Sequence, residues 1–212
     1  MKQNKPYIVA VTGGIATGKS TALNYIKMRG YEVIEFDVIG HNVLMDNLVV
    51  SQLSQIFGNA ILDEQGNINR KALGSVVFAD KEKLNILNNI SHPKIYEIAS
   101  KQIESFKDED IIFLDIPLLY ETKNNFTDFY KKINEVWVIS SRETVQTSRL
   151  MIRDKISIEE AQNKIKSQMS LKVKERLADE VIYNNSDIYA LYEEIRIELN
   201  NLGKRVSFKY EK

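Results

Sequence analysis

The chain has 212 residues and a mass of 24.4 kDa, a length that favours one domain with insertions over a string of modules. It carries 29 basic and 29 acidic side chains, and this zero net charge argues against a general nucleic-acid coat or membrane-surface coat. The sequence has no cysteine, which excludes disulfide frameworks, thiolate zinc sites and cysteine nucleophiles. We find no targeting segment or bilayer-spanning run, and we expect a cytoplasmic monomer that binds neither nucleic acid nor membrane.

Short apolar and β-branched runs alternate with helical patterns along the chain. The predicted strands are 7–12, 32–36, 111–115, 136–139 and 181–183. The predicted helices are 19–29, 38–44, 70–78, 81–89, 93–106, 142–153, 158–169 and 188–199. This alternation predicts right-handed βαβ units, and therefore an α/β fold with a doubly wound, parallel, five-stranded sheet.

Two stretches do not fit the regular alternation. Residues 58–106 are mostly helical and too long for one crossover, so we expect a helical insertion there, with Pro93 in the first turn of a helix. Residues 142–176 contain nine basic and five acidic side chains on an otherwise neutral chain.

The first predicted strand runs directly into a glycine-rich turn followed by a helix. Residues 13–20 read Gly-Gly-Ile-Ala-Thr-Gly-Lys-Ser and satisfy the phosphate-loop pattern G-x-x-x-x-G-K-[ST]. The glycines allow the backbone N–H groups to point at phosphate oxygens, and the helix adds its positive dipole end. We expect Lys19 to reach the β- and γ-phosphates of ATP and Ser20 to bind Mg²⁺. The predicted ATP-binding residues are Gly13, Gly14, Ala16, Thr17, Gly18, Lys19, Ser20 and Thr21.

Two acidic residues follow predicted strands at the sheet edge where ligands of such folds bind. Asp37 follows the second strand, where its carboxylate either orients or deprotonates an acceptor hydroxyl, or caps the next helix. Asp115 ends the third strand after four apolar residues, as in the Walker B pattern that holds Mg²⁺, although an Asp in this position is common in α/β proteins. Which of the two is the base stays open.

A row of basic and polar side chains occurs in the predicted helix 142–153. Its members recur every three or four residues and share one helix face, and they are Arg142, Gln146, Arg149 and Arg153. A bound anion, most simply a nucleotide triphosphate, would neutralise the row. Solvent, or salt bridges from distant segments, would explain it equally.

The sequence has two histidines, His41 and His92. His41 lies one helical turn after Asp37, whereas His92 directly precedes Pro93. They are too far apart in the sequence to favour a shared metal site. Each has either an ordinary polar or capping role or a contact with the acceptor.

Taken together, these motifs resemble the dephospho-coenzyme A kinase family over nearly the whole chain. The likeness includes the glycine loop, Glu35-Phe36-Asp37 with His41, and the segments 57–58, 66–70, 92–93, 115–121, 146–153, 168 and 178–184. Two positions depart from the family pattern. Glu35 replaces the first acid of the usual Asp-x-Asp, and Ala16 replaces a usual glycine of the loop; neither change blocks the chemistry.

The resemblance implies a P-loop kinase that uses ATP and Mg²⁺ to phosphorylate the ribose 3′-hydroxyl of dephospho-coenzyme A. It implies a single P-loop kinase domain, 1–212, with a core of about 1–57, 107–141 and 177–212, an acceptor-binding insertion of about 58–106 and a lid of about 142–176. The implied catalytic residues are Asp37 as base, Lys19, Arg149 and Arg153. The implied acceptor-binding residues are Asp37, His41, His92, Asp115 and Leu118, and the implied metal ligands are Ser20 and Asp115.

Two other functions are alternatives to this one. A kinase for a different small molecule, such as a nucleoside monophosphate, fits the same motifs. A GTP-binding switch is disfavoured, because neither Asn4-Lys5 nor Asn163-Lys164 continues into the guanine-binding pattern Asn-Lys-x-Asp.

Overall fold

The structure is a computed structural model that describes residues 5–122 and 127–210. The strands are β1 (Tyr7–Gly13), β2 (Glu32–Glu35), β3 (Ile111–Asp115), β4 (Glu135–Ser140) and β5 (Glu180–Tyr183). The helices are α1 (Lys19–Met28), α2 (Phe36–Val43), α3 (Asn47–Phe57), α4 (Arg70–Val77), α5 (Lys81–Ser105), α6 (Leu119–Thr122), α7 (Thr127–Tyr130), α8 (Glu143–Asp154), α9 (Ile158–Lys166), α10 (Leu171–Leu177) and α11 (Ile188–Tyr210). A short 3-10 turn covers Asn59–Ile61.

The five strands form one sheet in the order β2-β3-β1-β4-β5. β1 pairs in parallel with β3 on one side and with β4 on the other, and β4 pairs in parallel with β5. In this register Val11 lies opposite Asp115, and Gly13 lies opposite Ile139. The carboxyl end of β1 is therefore flanked by the carboxyl ends of β3 and β4. The predicted doubly wound parallel sheet is confirmed, and each strand agrees with its prediction to within one residue at either end.

The contacts divide the chain into two compact units, one of Met1–Ile34 with Ile103–Lys212 and one of Glu35–Gln102. The first unit contains the sheet core, in which α1 and α11 contribute Ile26 and Leu202 to the same apolar cluster as the strands. The second unit buries its own apolar residues, among them Ile39, Leu53 and Leu73. The acceptor-binding insertion of about 58–106 and the lid of about 142–176 stay predictions.

Helix α5 corrects one prediction. The sequence predicts separate helices at 81–89 and 93–106, with Pro93 in the first turn of the second, but the structure has one helix with Pro93 inside it. A proline inside a helix costs about 3 kcal/mol and leaves the carbonyl of Asn89 without its usual donor. Burial of Tyr96 and Ala99 on the second half of the helix offsets this cost, so the helix continues through the proline.

Further helical segments differ from the sequence prediction. The helices α3, α6, α7 and α10 are unpredicted, and α11 extends eleven residues beyond its predicted end at Leu199. Asp46 begins α3 by accepting hydrogen bonds from the N–H groups of Leu48 and Val49. The α11 extension contains Gly203, which weakens helix propensity, but it buries Leu202. None of the helices in the described ranges is long and apolar enough to cross a membrane.

The aromatic centre of the sheet gives a direct test of this packing. Phe113 is completely buried, and its ring packs edge to face against two other aromatic rings. The distance between ring centroids is 5.3 Å to Trp137 and 5.4 Å to Tyr31. Phe113→Ala removes this packing, so we expect the free energy of unfolding to fall by about 3–5 kcal/mol in a urea titration. Met28→Ala, at an α1 position that is 75% exposed, is the control and should change it by less than about 0.5 kcal/mol. Equal effects of the two changes would contradict the described core.

Candidate functional site: a phosphate loop held by distant side chains

The glycine-rich turn joins β1 to α1 and has tight steric limits. A Cβ atom at Gly13 would lie 2.7 Å from the Ile139 carbonyl oxygen, and one at Gly14 would lie 2.7 Å from Nε2 of Gln146. Gly18 has a φ of +93°, a left-handed conformation that favours glycine, directly before the first residue of α1. Ala16 also has a positive φ, of +58°, at a cost of roughly 1–2 kcal/mol, which is a physical reason for a glycine to be preferred there.

The second half of the loop is held through the carbonyl of Thr17. This oxygen accepts a hydrogen bond of 2.9 Å from Nδ2 of Asn184, and longer ones from Oγ of Ser141 at 3.3 Å and Nη1 of Arg149 at 3.5 Å. Arg149 also donates to the Asn184 side chain at 3.1 Å and to the Asn184 carbonyl at 3.2 Å. Arg149 therefore contacts the loop through neutral acceptors, and no ion pair between described residues includes it.

The first half of the loop is held through the peptide groups on either side of Ile15. Its N–H donates to Oε1 of Gln168 at 2.9 Å, and its carbonyl accepts from Nε2 of Gln146 at 2.8 Å. Because a trans peptide directs each carbonyl away from the following N–H, anchoring the Ile15 and Thr17 carbonyls turns the N–H groups of Ala16 and Gly18 to the opposite side. Such fixed donors are what a phosphate group requires.

The loop lysine lies at the end of the neighbouring strand. Nζ of Lys19 forms an ion pair with Oδ1 of Asp115, and the two side chains are only 14% and 9% exposed. Two residues later, the Pro117 carbonyl accepts a hydrogen bond of 3.0 Å from the Thr12 hydroxyl. The Lys19 ammonium and the Asp115 carboxylate thus meet beside the loop, at the carboxyl end of β3. Ser20 is exposed in the first turn of α1, and Leu118 is 46% exposed after β3.

The structure separates the four members of the predicted row in helix 142–153. Arg142 precedes α8, Gln146 is buried against the loop, and Arg149 contacts the loop as described above. Arg153 instead donates to Asp154 at 2.7 Å, and Lys164 reaches the same carboxylate at 2.9 Å. These hydrogen bonds, first that of Arg153 and then that of Lys164, lower the pKa of Asp154 to about 2. Arg153 thus pairs with its adjacent residue, whereas the sequence left open a bound anion, solvent or salt bridges from distant segments.

The second compact unit contains three of the predicted site residues. Glu35 is the N-cap of α2, so Asp37 does not cap that helix but lies exposed in its first turn. Nδ1 of His41 lies 3.2 Å from Nη1 of Arg70, and because arginine only donates, Nδ1 is the acceptor. His92 is inside α5 rather than at a helix start, edge-on to Tyr96, and burial lowers the pKa of its imidazole.

Among the described residues, three carboxylates near the amino ends of β4 and β5 lie close enough together to bind one metal ion. Their oxygen atoms lie within 4.8 Å of one another, and they belong to Glu135, Glu180 and Glu198. The Arg205 guanidinium donates to Glu135 at 2.6 Å and to Glu198 at 2.7 Å. Burial, and then the charge of Glu198, raise the pKa of Glu180. An arginine therefore supplies the positive charge here, at the opposite end of the strands from the loop.

Sequence reasoning did not assign roles to several side chains that hold the loop. Asn184 and Gln168 belong to the family resemblance without a stated role, whereas Ser141 and Lys174 were not identified at all. Lys174 is buried, yet it lies in the basic stretch 142–176, where composition gives no sign of which lysine is internal. The hydrogen bonds between these side chains and the loop join residues that are more than 120 positions apart in the chain.

A loop of this pattern, between the first strand and first helix of a parallel sheet, defines the P-loop class of nucleotide-binding proteins. Residues 7–190 match the family described as dephospho-CoA kinase. A dephospho-CoA kinase from Fusobacterium nucleatum is 39% identical over 188 residues, which cover 89% of this chain and 94% of that protein. The chain belongs to the dephospho-CoA kinase family, as its motifs predicted.

Solved structures agree with this family assignment. A protein from Thermus thermophilus has a TM-score of 0.78 and 25% identity, with 93% of this chain and 98% of that chain covered. A dephospho-CoA kinase from Campylobacter jejuni has a TM-score of 0.64 and 29% identity, with 92% and 97% covered. The predicted P-loop kinase fold is therefore confirmed.

The close approach of Asn184 to Gly18 gives a test of the loop geometry. An added Cβ at Gly18 would collide with Nδ2 of Asn184, whereas at Gly30, with a similar φ of +89°, it would meet nothing within 4 Å. We expect Gly18→Ala to weaken ATP binding by about 10²-fold in calorimetry, because the loop must shift. Gly30→Ala carries the same backbone strain, roughly 1–2 kcal/mol of stability, and should leave ATP affinity unchanged. Equal ATP affinities of the two variants would refute the described loop.

Proposed function

We propose that the protein transfers the γ-phosphoryl group of ATP to the ribose 3′-hydroxyl of dephospho-coenzyme A, giving coenzyme A and ADP. The observation that carries this proposal is the anchored phosphate loop, with Lys19 beside Asp115, in a chain of the dephospho-CoA kinase family. In the reaction the 3′-oxygen forms a bond to the γ-phosphorus while the bond to the β,γ-bridging oxygen breaks. The hydroxyl proton passes to a base, and the bridging oxygen leaves with ADP.

The loop and its lysine supply the electrostatic part of the catalysis. Backbone N–H groups held in place by distant side chains need no reorganisation when charge develops on the phosphoryl oxygens. Lys19, now paired with Asp115, has to exchange that partner in order to reach the β- and γ-phosphates. The loop therefore provides fixed donors, and Lys19 provides a positive charge that can move from the Asp115 carboxylate to the phosphates of ATP.

The residues beside the loop fit a magnesium ion that accompanies the nucleotide. Mg²⁺ prefers oxygen ligands and usually keeps several waters together with one or two protein groups and the phosphates. The exposed Ser20 hydroxyl and the Asp115 carboxylate are such oxygen donors. When bound, Mg²⁺ would neutralise charge on the phosphates. Ser20 would be a direct ligand, and Asp115 would hold the ion directly or through water.

We assign the general base to Asp37. Its carboxylate has no hydrogen bond or ion pair within the described ranges and lies exposed in the first turn of α2, whereas an oxygen of Asp115 is already paired with Lys19. A carboxylate without a partner can accept a proton from a hydroxyl. His41, His92 and Leu118, together with Asp37 and Asp115, are the proposed acceptor contacts.

Arg149 and Arg153 are proposed to serve phosphoryl transfer as the family likeness implies. Arg149 meets only neutral acceptors in the described part of the chain, so its full charge can act on an anion near the loop. Arg153 would first have to leave Asp154. The structure thus supports the role of Arg149 more directly than that of Arg153.

A substrate comparison tests the function. We expect ATP with dephospho-coenzyme A to yield ADP and a product phosphorylated at the 3′-oxygen, identified by mass and by phosphorus NMR. ATP with AMP, or ATP alone, should release ADP at background rates. Turnover with AMP but not with dephospho-coenzyme A would favour a nucleoside monophosphate kinase instead.

Paired carboxamide variants test the choice of base. We expect Asp37→Asn to lower kcat by about 10²–10⁴, nearer the low end, because the transfer is loose and needs little early deprotonation. The KM for ATP should stay close to the wild-type value. Asp115→Asn should instead weaken the binding of Mg²⁺ and of the nucleotide that accompanies it, since it removes a carboxylate proposed to hold the ion. Full activity of Asp37→Asn together with an inactive Asp115→Asn would show that the base is misassigned.

A further inference from the structure

Lys174 of α10 is buried to an unusual degree for a lysine. Its side chain has no exposed surface, and its Nζ lies 2.9 Å from Oε1 of Glu121. The same atom lies 3.2 Å from the Gly13 carbonyl oxygen and 3.5 Å from the Pro117 carbonyl oxygen. An ammonium group has three hydrogens, so these three acceptors use its full donor capacity. Lysine is almost never fully buried unless it is paired. The three acceptors therefore account for the burial of Lys174.

The Gly13 carbonyl is the first of the phosphate loop. Because its peptide bond is trans, a hydrogen bond that fixes this carbonyl also fixes the direction of the Gly14 N–H on the opposite side. The Pro117 carbonyl belongs to the segment just after Asp115 and also accepts from Thr12. Lys174 therefore ties the start of the loop to the segment that follows the carboxylate partner of Lys19.

The residues before Lys174 run along the same part of the loop. Gln168 accepts the N–H of Ile15 at 2.9 Å, and an added Cβ at Gly14 would lie 3.5 Å from Cδ1 of Leu171. We call residues 168–174 the strap. Within seven residues, it forms hydrogen bonds with loop positions 13 and 15 through one charged and one amide side chain, and it places the apolar Leu171 beside position 14.

We infer that Lys174 is a positioning residue for ATP, which acts through the Gly13 carbonyl and does not touch the nucleotide. The inference rests on the proposed function in one respect, namely that the loop binds ATP. Loss of the ammonium leaves the first peptide group of the loop without its anchor, so ATP affinity falls. Acceptor affinity should not depend on this peptide group. A loss of affinity for ATP without a loss of affinity for the acceptor is therefore the result expected of a positioning residue.

The primary variant is Lys174→Met, which keeps the length of the side chain and removes its charge and donors. We expect the Kd for ATP, measured by titration calorimetry, and the KM for ATP each to rise roughly 10–100-fold, as for a modest misplacement of binding groups. The KM for dephospho-coenzyme A should change by less than about twofold. Arg176→Met, at an exposed position of the same helix outside the strap, is the matched control and should resemble the wild type in all three quantities.

A double variant separates positioning from stability. Replacing a buried ion pair by apolar side chains is often neutral or stabilising, so Glu121→Leu with Lys174→Met should unfold near the wild-type midpoint. We expect its ATP affinity to stay as weak as that of Lys174→Met. If Lys174→Met alone does not fold, the double variant takes its place in the comparison. Recovery of ATP affinity together with stability would overturn the inference.

A conservative variant and the wild type complete the test. Lys174→Arg keeps the charge and donors, and its Kd for ATP should lie closer to the wild-type value than that of Lys174→Met. If the wild type binds ATP and Lys174→Met binds it equally well, the positioning role is wrong and the proposed function stands. If the wild type itself does not bind ATP, both are wrong.

Discussion

The site depends on hydrogen bonds that hold the carbonyl oxygens of a short glycine-rich turn. The Gly13, Ile15 and Thr17 carbonyls accept, respectively, from Lys174, Gln146 and Asn184. Each planar peptide then directs its N–H to the other side, so the donor array of the loop is set by side chains behind it. A phosphate site needs such preorganised donors, because donors that must reorganise lose much of their effect on a developing charge.

The loop needs glycines because its anchoring side chains approach the backbone so closely. Gln146 approaches Gly14, and Asn184 approaches Gly18, so closely that a Cβ atom at either position would collide with the anchoring amide. The glycines therefore permit the anchors to come near, and at Gly18 the glycine also permits a left-handed backbone that other residues seldom adopt. A loop with the right glycines but without these amides would lose the conformation along with its support.

The sequence predicts the elements whose signals are local. β3 is a run of four apolar residues before Asp115, and residues 13–20 match a continuous pattern, so both could be identified without a structure. Helix α5 shows where local signals fail, because a proline that normally marks a boundary is overridden by burial of Tyr96 and Ala99. The anchors of the loop are also beyond local reasoning, since Lys174 is 161 positions from Gly13. Nothing in the surrounding residues identifies such a partner.

The basic stretch 142–176 shows why charge counts do not reveal a binding surface. Its excess of positive charge suggests a surface that binds an anion, but in the structure the basic side chains have different partners. Lys174 is buried against Glu121, Arg153 and Lys164 share Asp154, and Arg149 faces carbonyl and amide oxygens of the core. The charge of Arg149 alone among these four is not balanced by a carboxylate within the described ranges. The partner of each cation is therefore the informative quantity, and it distinguishes Arg149, next to the loop, from the other three.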